Sequence, residues 1–499
     1  MDKYRTNIRS LIVASVIVAG FAYADEGVPP QAAEAQGKEY VLSLDEVSKL
    51  ALTNNFDIQL AKFDAGIAKT KKGVAESIYD TILEAEVKYK NDQSKQSSTL
   101  AGTKTLDNDY NVGLSKKLPV GAMVSVDALN NRHWTNSPFV TLSPSHDSAM
   151  SVTVEQALGK NLFGIQDRGN VKITKIDIEN AQYTSLDKIE DSLSEVQKAY
   201  WDLVLAYEFV RIEEGTLKQA QALYELHQEK LKDGLVEAPE ALASEANYKE
   251  RLNDLLVAKN NLSTRMNALK LLLNVEDDQV EITSKNTLLL SEIREERNES
   301  LKKAFENRRD YKSAKNDIQS QNIKLSISKN NLWPEINLKA SFARNGIGDH
   351  FKQAIDQISD EDNPELITSL VISFPLENTK ARAELDQSQI EKAKSLLSLK
   401  LLERKIFIRV SDNVRTCQVL FERAKNRQTI AELQERKLTE EQRRFNSGRS
   451  NTDTIIRFQE DVLQAKWKAA EAIYDYLVST IDLRKNEGAL LNFYWEGKI

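Results

Sequence analysis

The chain has 499 residues, of which 41% are hydrophobic, 29% are charged and only nine are proline. This balance favours long helices over a string of globular domains. A formal net charge of −7 gives no general attraction to nucleic acid, so nucleic-acid partners are not expected. The single cysteine, Cys417, excludes an internal disulfide and is expected to fill space in a core.

Residues 1–24 have the pattern of a secretory signal peptide. Three basic residues precede an apolar run at residues 11–24, which ends in the small-residue pattern Ala22-Tyr23-Ala24. We expect cleavage there, which leaves residues 25–41 as an N-terminal extension. The alternative is an uncleaved anchor, but a run of about 14 residues is too short to span a bilayer as a helix.

A helical region from residue 42 gives way to a strand near residues 83–91. Here apolar residues alternate with charged ones, which is the period-2 pattern of a strand with two different faces. The apolar positions are Leu83, Ala85, Val87 and Tyr89. Residues 150–157 predict a second strand. Between them, residues 110–129 predict a further hairpin around a Pro-Val-Gly turn, although Lys116 and Lys117 weaken its first strand.

Residues 164–274 predict a helical hairpin that is broken at Gly234. Its first helix is proline-free over more than 60 residues and is therefore about 100 Å long. The polar connectors at residues 92–109 and 130–148 are expected to be exposed loops.

The second half of the chain repeats this order, which indicates an internal duplication. Strands are predicted near residues 335–344 and 366–375, and a helical hairpin over residues 378–488 with its break at Gly448. The apolar positions of the first of these strands are Ile336, Leu338, Ala340 and Phe342. The acidic segment at residues 345–365 is expected to be a loop. The two structural repeats are therefore residues 42–290 and 291–499.

The last helix carries two offset apolar seams. One contains Val462, Ala469 and Tyr476, and the other Trp467 and Ile473. Two seams favour a helix packed between two neighbours in a wall. The alternative is one broad face against a globular core.

The strands indicate a membrane role. The strands near residues 83–91 and 335–344 are each about nine residues long, the length that a tilted strand needs to cross a bilayer, and each has one apolar and one polar face. No other segment after the N-terminal run is apolar enough for a transmembrane helix. The alternative is an amphipathic strand on an ordinary soluble sheet.

Several segments in this order resemble the TolC family of outer-membrane efflux proteins over essentially the whole mature chain. They are residues 42–58, 233–242, 331–338, 373–378 and 472–491. The resemblance implies a mainly α fold with membrane β: a homotrimer forms one shared outer-membrane β-barrel and a long periplasmic α-helical barrel. It also implies a periplasmic adaptor protein and an inner-membrane pump or ATP-driven exporter as partners.

The resemblance assigns roles to the turns between the long helices. Gly234, Leu235 and Gly448 match the family's adaptor-docking tip turns. Glu240 and Asp453 are candidate acids of a pore constriction, where close carboxylates favour cations. The alternative for both acids is stabilisation of a helix N-terminus.

The implied function is that of an outer-membrane duct in a tripartite efflux or type I secretion system. The family usually contributes four strands per protomer, and the extra hairpin here predicts six and a wider barrel. The alternatives are a periplasmic coiled-coil adaptor or scaffold without a membrane barrel, or a surface-exposed adhesin or receptor that reuses the barrel. No catalytic motif, cofactor motif or metal-ligand spacing is present, so neither an enzyme, a cofactor nor a metal is expected. The substrate is not indicated.

Overall fold

The computed structural model describes residues 40–95, 100, 102–276, 280–292 and 296–494. The expected signal peptide, and the N-terminal extension as far as residue 39, lie outside the described residues. No helix within the described part of the chain has the length and apolar character needed to cross a membrane.

Helices of matched length in the two halves confirm the predicted duplication. The two longest, α3 and α8, have 68 residues each, and their antiparallel partners α4 and α9 have 36 and 35. The first half contains α1 (Leu44–Asn54), α2 (Phe56–Glu76), α3 (Ile165–Lys232) and α4 (Ala238–Leu273). The second contains α5 (Arg297–Asn307), α6 (Arg309–Asn330), α8 (Thr379–Asn446) and α9 (Thr452–Asn486). One helix, α7 (Phe351–Asp360), has no counterpart among the described residues of the first half.

Six long strands form one antiparallel sheet in chain order. They are β2 (Thr81–Asp92), β3 (Thr105–Lys117), β4 (Ala122–Thr135), β5 (Ser145–Ala157), β7 (Glu335–Gly348) and β8 (Pro364–Ser373). A separate parallel pair joins β1 (Tyr40–Leu42) to β6 (Ile282–Ser284). The strands β3 and β4 occupy the position of the expected extra hairpin, and β3 runs through both lysines of its inner end.

The three expected loops are shorter than predicted. β3 begins at Thr105, β4 continues to Thr135 and β5 starts at Ser145, since their hydrogen-bond ladders extend beyond the apolar residues that marked them in the sequence. The prediction of an unstructured loop at residues 345–365 was wrong. β7 extends to Gly348, and α7 fills most of the rest.

The principal core lies where the first four helices meet the small parallel pair. Ser43 caps α1 through a reciprocal capping box, and Asn55 caps α2, so the chain turns sharply between them. The buried cluster includes Val47, Ile58, Leu193, Tyr200, Leu269 and Ile282. This core fixes the short helices and the parallel pair against the middle of α3.

The long helices form a wall. α9 lies between α3 and α8, α2 packs on α3, and α6 packs on both α3 and α8. Both seams of α9 are buried or half-buried, in agreement with a helix that has a neighbour on each side. A buried ion pair, Arg309 to Glu190 at 2.8 Å, joins α6 to α3 and so links the two halves.

Candidate functional site: the two-faced sheet and the helical tip

One face of the sheet is apolar across all six strands. The register aligns Leu83, Leu114, Val126, Val152, Phe342 and Leu366 in a single row. All eight strand positions predicted to face lipid, Leu83, Ala85, Val87, Tyr89, Ile336, Leu338, Ala340 and Phe342, lie on this face. The inserted strands therefore continue the apolar surface of the duplicated ones. That this surface contacts lipid stays a prediction.

The opposite face is polar and carries more acids than bases. The row beside the apolar one runs Glu84, Gly113, Asp127, Ser151, Ala343 and Glu365. Side chains of neighbouring strands also bond to each other here, as His133 does to Asp107 at 2.5 Å and Lys88 to Asp109 at 3.6 Å. Such a surface suits contact with water.

The inner turn of the inserted hairpin is docked against the start of α3. Gly121 and Gly164 both have positive φ, and a Cβ on Gly164 would lie 2.3 Å from the carbonyl oxygen of Pro119. Lys117 Nζ forms an ion pair with Asp167 of α3 at 2.8 Å. The hairpin is thus an integral part of the junction between sheet and helices.

The two turns at the far end of the long helices share one geometry. Gly234 and Gly448 each have φ +70°. The N–H groups of Gly234 and Leu235 donate to carbonyls of the last turn of α3 at 3.1 and 2.8 Å, and Gly448 and its successor make the same bonds to α8 at 3.0 and 2.9 Å. A left-handed glycine with these two bonds terminates a helix in both cases. Leu235 is 72% exposed and is free to contact a partner.

The candidate acids lie in the first turns of the returning helices. Glu240 is in the first turn of α4 and Asp453 in that of α9, where the helix dipole favours an anion. Neither is the N-cap residue, since Glu237 and Asn451 hold those positions. A pore constriction by these acids needs further copies of the chain and stays a prediction.

A buried histidine that the sequence did not single out joins the two tips. The Nδ1 of His227 lies 3.2 Å from the carbonyl oxygen of Glu240, and its Nε2 lies 3.4 Å from Thr452 Oγ1. The carbonyl can only accept, so Nδ1 donates and the hydroxyl of Thr452 donates to Nε2 in the neutral ring. His227 therefore connects α3 to both α4 and α9.

A second buried group is Glu213 of α3, and neither of its carboxylate oxygens has a hydrogen-bond partner among the described residues. Its side chain is 0% exposed. Burial raises its pKa to about 7, and the charges of Asp254 and Glu460 add to that effect while Arg251 opposes it. The wall thus contains a carboxyl group whose neutral form is favoured by its surroundings.

The two flanks of the wall expose apolar side chains. On one flank these belong to α2 and α4 and include Phe56, Leu60, Phe63, Ile67, Leu252 and Leu256. On the other flank they belong to α8 and include Ile390, Leu397, Leu401, Ile408 and Val419. They are spaced by one or more whole helical turns and so form stripes along the helices, the pattern of surfaces that pack against other helices.

Comparison with protein families assigns the chain to one family. A model of the outer membrane efflux proteins matches residues 47–275 and 300–489, one segment in each half. The chain belongs to the outer membrane efflux protein family. Membership confirms the TolC resemblance, the duplicated fold and the function of an outer-membrane efflux channel, a transporter rather than an enzyme.

Several solved structures of outer-membrane proteins share this fold. The CmeC outer membrane channel of Campylobacter jejuni has a TM-score of 0.66 at 16% identity, over 89% of this chain and 85% of that chain. VceC of Vibrio cholerae has a TM-score of 0.66 at 14% identity, over 89% and 96%. MtrE of Neisseria gonorrhoeae has a TM-score of 0.64 at 15% identity, over 92% and 94%. No curated protein matches the chain.

Proposed function

We propose that three copies of this chain form one duct across the outer membrane, with a wall of 18 β-strands. The observation that carries this proposal is the six-stranded sheet, whose apolar and polar faces are in register from its first strand to its last. In a closed barrel one such face contacts lipid and the other lines water. Backbone groups in lipid need hydrogen-bond partners, so a spanning sheet has to close on itself.

The open edges of the sheet support closure by several copies. Within the described part of the chain, β2 and β8 each have a strand neighbour on one side only. Since the sheet has an even number of antiparallel strands, β8 of one copy runs antiparallel to β2 of the next. The number three follows from the family, whose members form trimers with adaptors and pumps.

The flanks of the helical wall support the same arrangement. The exposed stripe of α8 lies on the same side of the molecule as the strand edge of β8. The stripes of α2 and α4 lie on the same side as the strand edge of β2. Joining copies through the strand edges therefore brings α8 of one copy towards α2 and α4 of the next. Both stripes are apolar, so their contact removes apolar surface from water.

Exposed aromatic side chains flank the apolar band. Trp333, Phe374 and Phe163 lie at the helix-proximal end of the sheet, and Tyr89 lies near the distal end. Aromatic residues mark both interfaces of membrane barrels. These positions support a bilayer between the two ends, with the long helices in the periplasm.

The tip turns with Gly234, Leu235 and Gly448 would then face the inner membrane and contact a periplasmic adaptor and its pump. Glu240 and Asp453, repeated in each copy, would surround the entrance. This role agrees with their position at the end of the helices farthest from the sheet.

Membrane fractionation and gel filtration test the proposal. We expect the mature protein to stay in the membrane after high-salt and carbonate washes, to need detergent for release, and to run as a trimer. Deletion of the gene should sensitise cells to toxic compounds or abolish a secreted product. A chain that washes off as a water-soluble monomer contradicts the duct and favours the adaptor alternative. An adhesin would be membrane-bound without either deletion phenotype.

A further inference from the structure

The helix α7 lies on the apolar face of the sheet, at the end distant from the long helices. In β7, Gly346 and Gly348 point to the same face as Leu338 and Phe342 because side chains alternate along a strand. A Cβ on Gly346 would lie 2.1 Å from the carbonyl oxygen of Ala354, and one on Gly348 would lie 2.9 Å from Gln353. The absence of side chains at the two glycines thus allows α7 to pack directly on the backbone of β7.

The two sides of α7 have different chemistry. On the side that faces the sheet, Gln357 Oε1 accepts from the N–H of Ile347 at 2.8 Å, which fixes the helix to β7 beyond the end of β8. Ala354 is 0% exposed and faces the sheet. Phe351 and Ile355, which share its stripe, are still 48% and 41% exposed.

The exposed apolar side of α7 continues the apolar surface of the sheet. The helix contacts β5 as well as β7, and it covers Ser148, which is 2% exposed. Two residues further along β5 on the same face, Met150 is exposed, followed by Val152 and Val154. The exposed apolar band of the sheet therefore begins at the edge of the area that α7 covers.

Two basic side chains lie near this position, beside the acids of residues 349–362. The register places Arg132 beside His146 in the row that ends at Gly348. Lys352 projects from α7. Among the described residues, neither Arg132 nor Lys352 has an ion-pair partner, whereas Asp349 bonds to His350 and Asp362 to Arg344, each at 2.7 Å.

We propose that α7 is an interfacial helix that lies at the outer-leaflet surface, with Phe351 and Ile355 in contact with acyl chains and with Arg132 and Lys352 bound to lipid phosphate. This inference rests on the proposed placement of the sheet in the membrane. Apolar residues on one side with cations beside them are the features by which a helix binds a lipid surface. In this arrangement α7 sets the outer boundary of the membrane-embedded band.

Depth-dependent quenching tests the placement. Single cysteines are introduced into the full-length trimer in a Cys417→Ser background, labelled with an environment-sensitive fluorophore and reconstituted in vesicles. The positions are Phe351→Cys and Ile355→Cys on α7, Asp360→Cys on its polar side, Val152→Cys in the band and Thr153→Cys on the opposite face. Brominated lipid should quench the labels at 351, 355 and 152, and aqueous iodide those at 360 and 153.

Two outcomes overturn the inference and are distinguishable. If lipid quenches the label at 152 but iodide alone reaches 351 and 355, α7 lies outside the membrane while the duct stands. If lipid does not quench the label at 152 either, the membrane placement of the sheet fails, and the inference fails with it.

Headgroup preference tests the cationic part. Brominated phosphatidylglycerol should quench the label at 351 more strongly than brominated phosphatidylcholine. Arg132→Gln with Lys352→Gln should remove this preference, since each cation near the surface strengthens anionic-lipid binding roughly fivefold. The matched control, Lys90→Gln with Lys339→Gln on the opposite face, should retain it. The assignment of the phosphate ligands is overturned if both double variants lose the preference for phosphatidylglycerol equally. It is also overturned if the protein with both cations intact shows no such preference.

Discussion

The long helices α3 and α8 have the same length but different surroundings. Each has 68 residues, yet 21 residues of α3 are buried and only nine of α8. α3 is covered by α2, α4, α6 and α9, whereas α8 contacts α5, α6 and α9 and leaves one flank open. Duplication thus preserved the length of the helices, while the position of each half in the wall determined how much of it is covered within one chain.

The strands differ more than the helices do. The first half contributes four strands to the sheet and the second contributes two. An inserted hairpin adds one strand in each direction, so the antiparallel order on both sides is preserved. The insertion therefore leaves the direction of the strand that leads into α3 unchanged.

Removal of the inserted hairpin should have the largest effect, because it leaves two strands in each half. Replacing residues 93–144 by a short Asn-Gly turn joins β2 directly to β5, as the second half joins β7 to β8. Since barrel diameter grows roughly linearly with strand number, we expect the diameter to fall by about a third. Electron microscopy of the purified trimer measures it. An unchanged diameter would mean that β3 and β4 are not part of the barrel.

A lysine on the apolar face should show whether the inserted strands are embedded as deeply as the duplicated ones. Val126→Lys in β4 and Val152→Lys in β5 occupy the same row and should each destabilise a protomer by about 2–4 kcal/mol. Ser125→Lys, on the polar face, should have little effect. Urea unfolding of the reconstituted protein measures all three. A small cost for Val126→Lys alone would place β4 outside the membrane.

Glu213 should make the first half sensitive to pH. Its pKa is raised from 4.5 to about 7 in the folded chain, so the folded state holds a proton that the unfolded state releases. The stabilisation by the neutral form is complete below pH 4.5 and is lost as pH rises through 7, and the loss amounts to about 3 kcal/mol. Glu213→Gln should therefore be more stable than the parent at pH 8 and similar to it at pH 4.

The matched control for that variant is Glu214→Gln, which removes an exposed ion pair to Lys259. We expect its unfolding midpoint to differ little from that of the parent at either pH, because exposed pairs contribute little. If Glu213→Gln and Glu214→Gln have the same pH profile, Glu213 is ionised in the folded wall and the assigned pKa is wrong.

The smallest expected effect concerns the junction of the hairpin with α3. Gly164→Ala puts a Cβ at positive φ and close to Pro119, and we expect a loss of about 1–2 kcal/mol. Gly215→Ala, within α3 and without any atom near its Cβ, should gain about 0.5–1 kcal/mol. Thermal unfolding separates the two. A gain in both variants would indicate that the hairpin turn is not docked on α3.

Local patterns in the sequence predicted much of the fold. Alternation identified the apolar face through Leu83 and Phe342, and the isolated glycines at 234 and 448 located the turns. The boundaries of β3, β4 and β5 were less predictable, because hydrogen-bond ladders continue through polar residues such as Asn108 and Arg132 that carry no alternating signal.

Some features of the structure were not predicted from the sequence. The stripe of Phe351, Ala354, Ile355 and Ile358 has helical spacing and would have identified α7, but the surrounding acids indicated a loop. The contact of His227 with Thr452 joins residues more than 200 positions apart, and nothing near either residue predicts it. A constriction by Glu240 and Asp453 would need neighbouring copies of the chain and stays a prediction.

The most direct measurement is an electron cryomicroscopy structure of the mature protein in lipid nanodiscs. The expected result is three copies around one barrel of 18 strands, with β8 of each copy paired antiparallel to β2 of the next and the apolar row of Val126 and Val152 facing lipid. A barrel with four strands from each copy, with β3 and β4 folded outside the membrane, would contradict the account, as would a chain that stays monomeric.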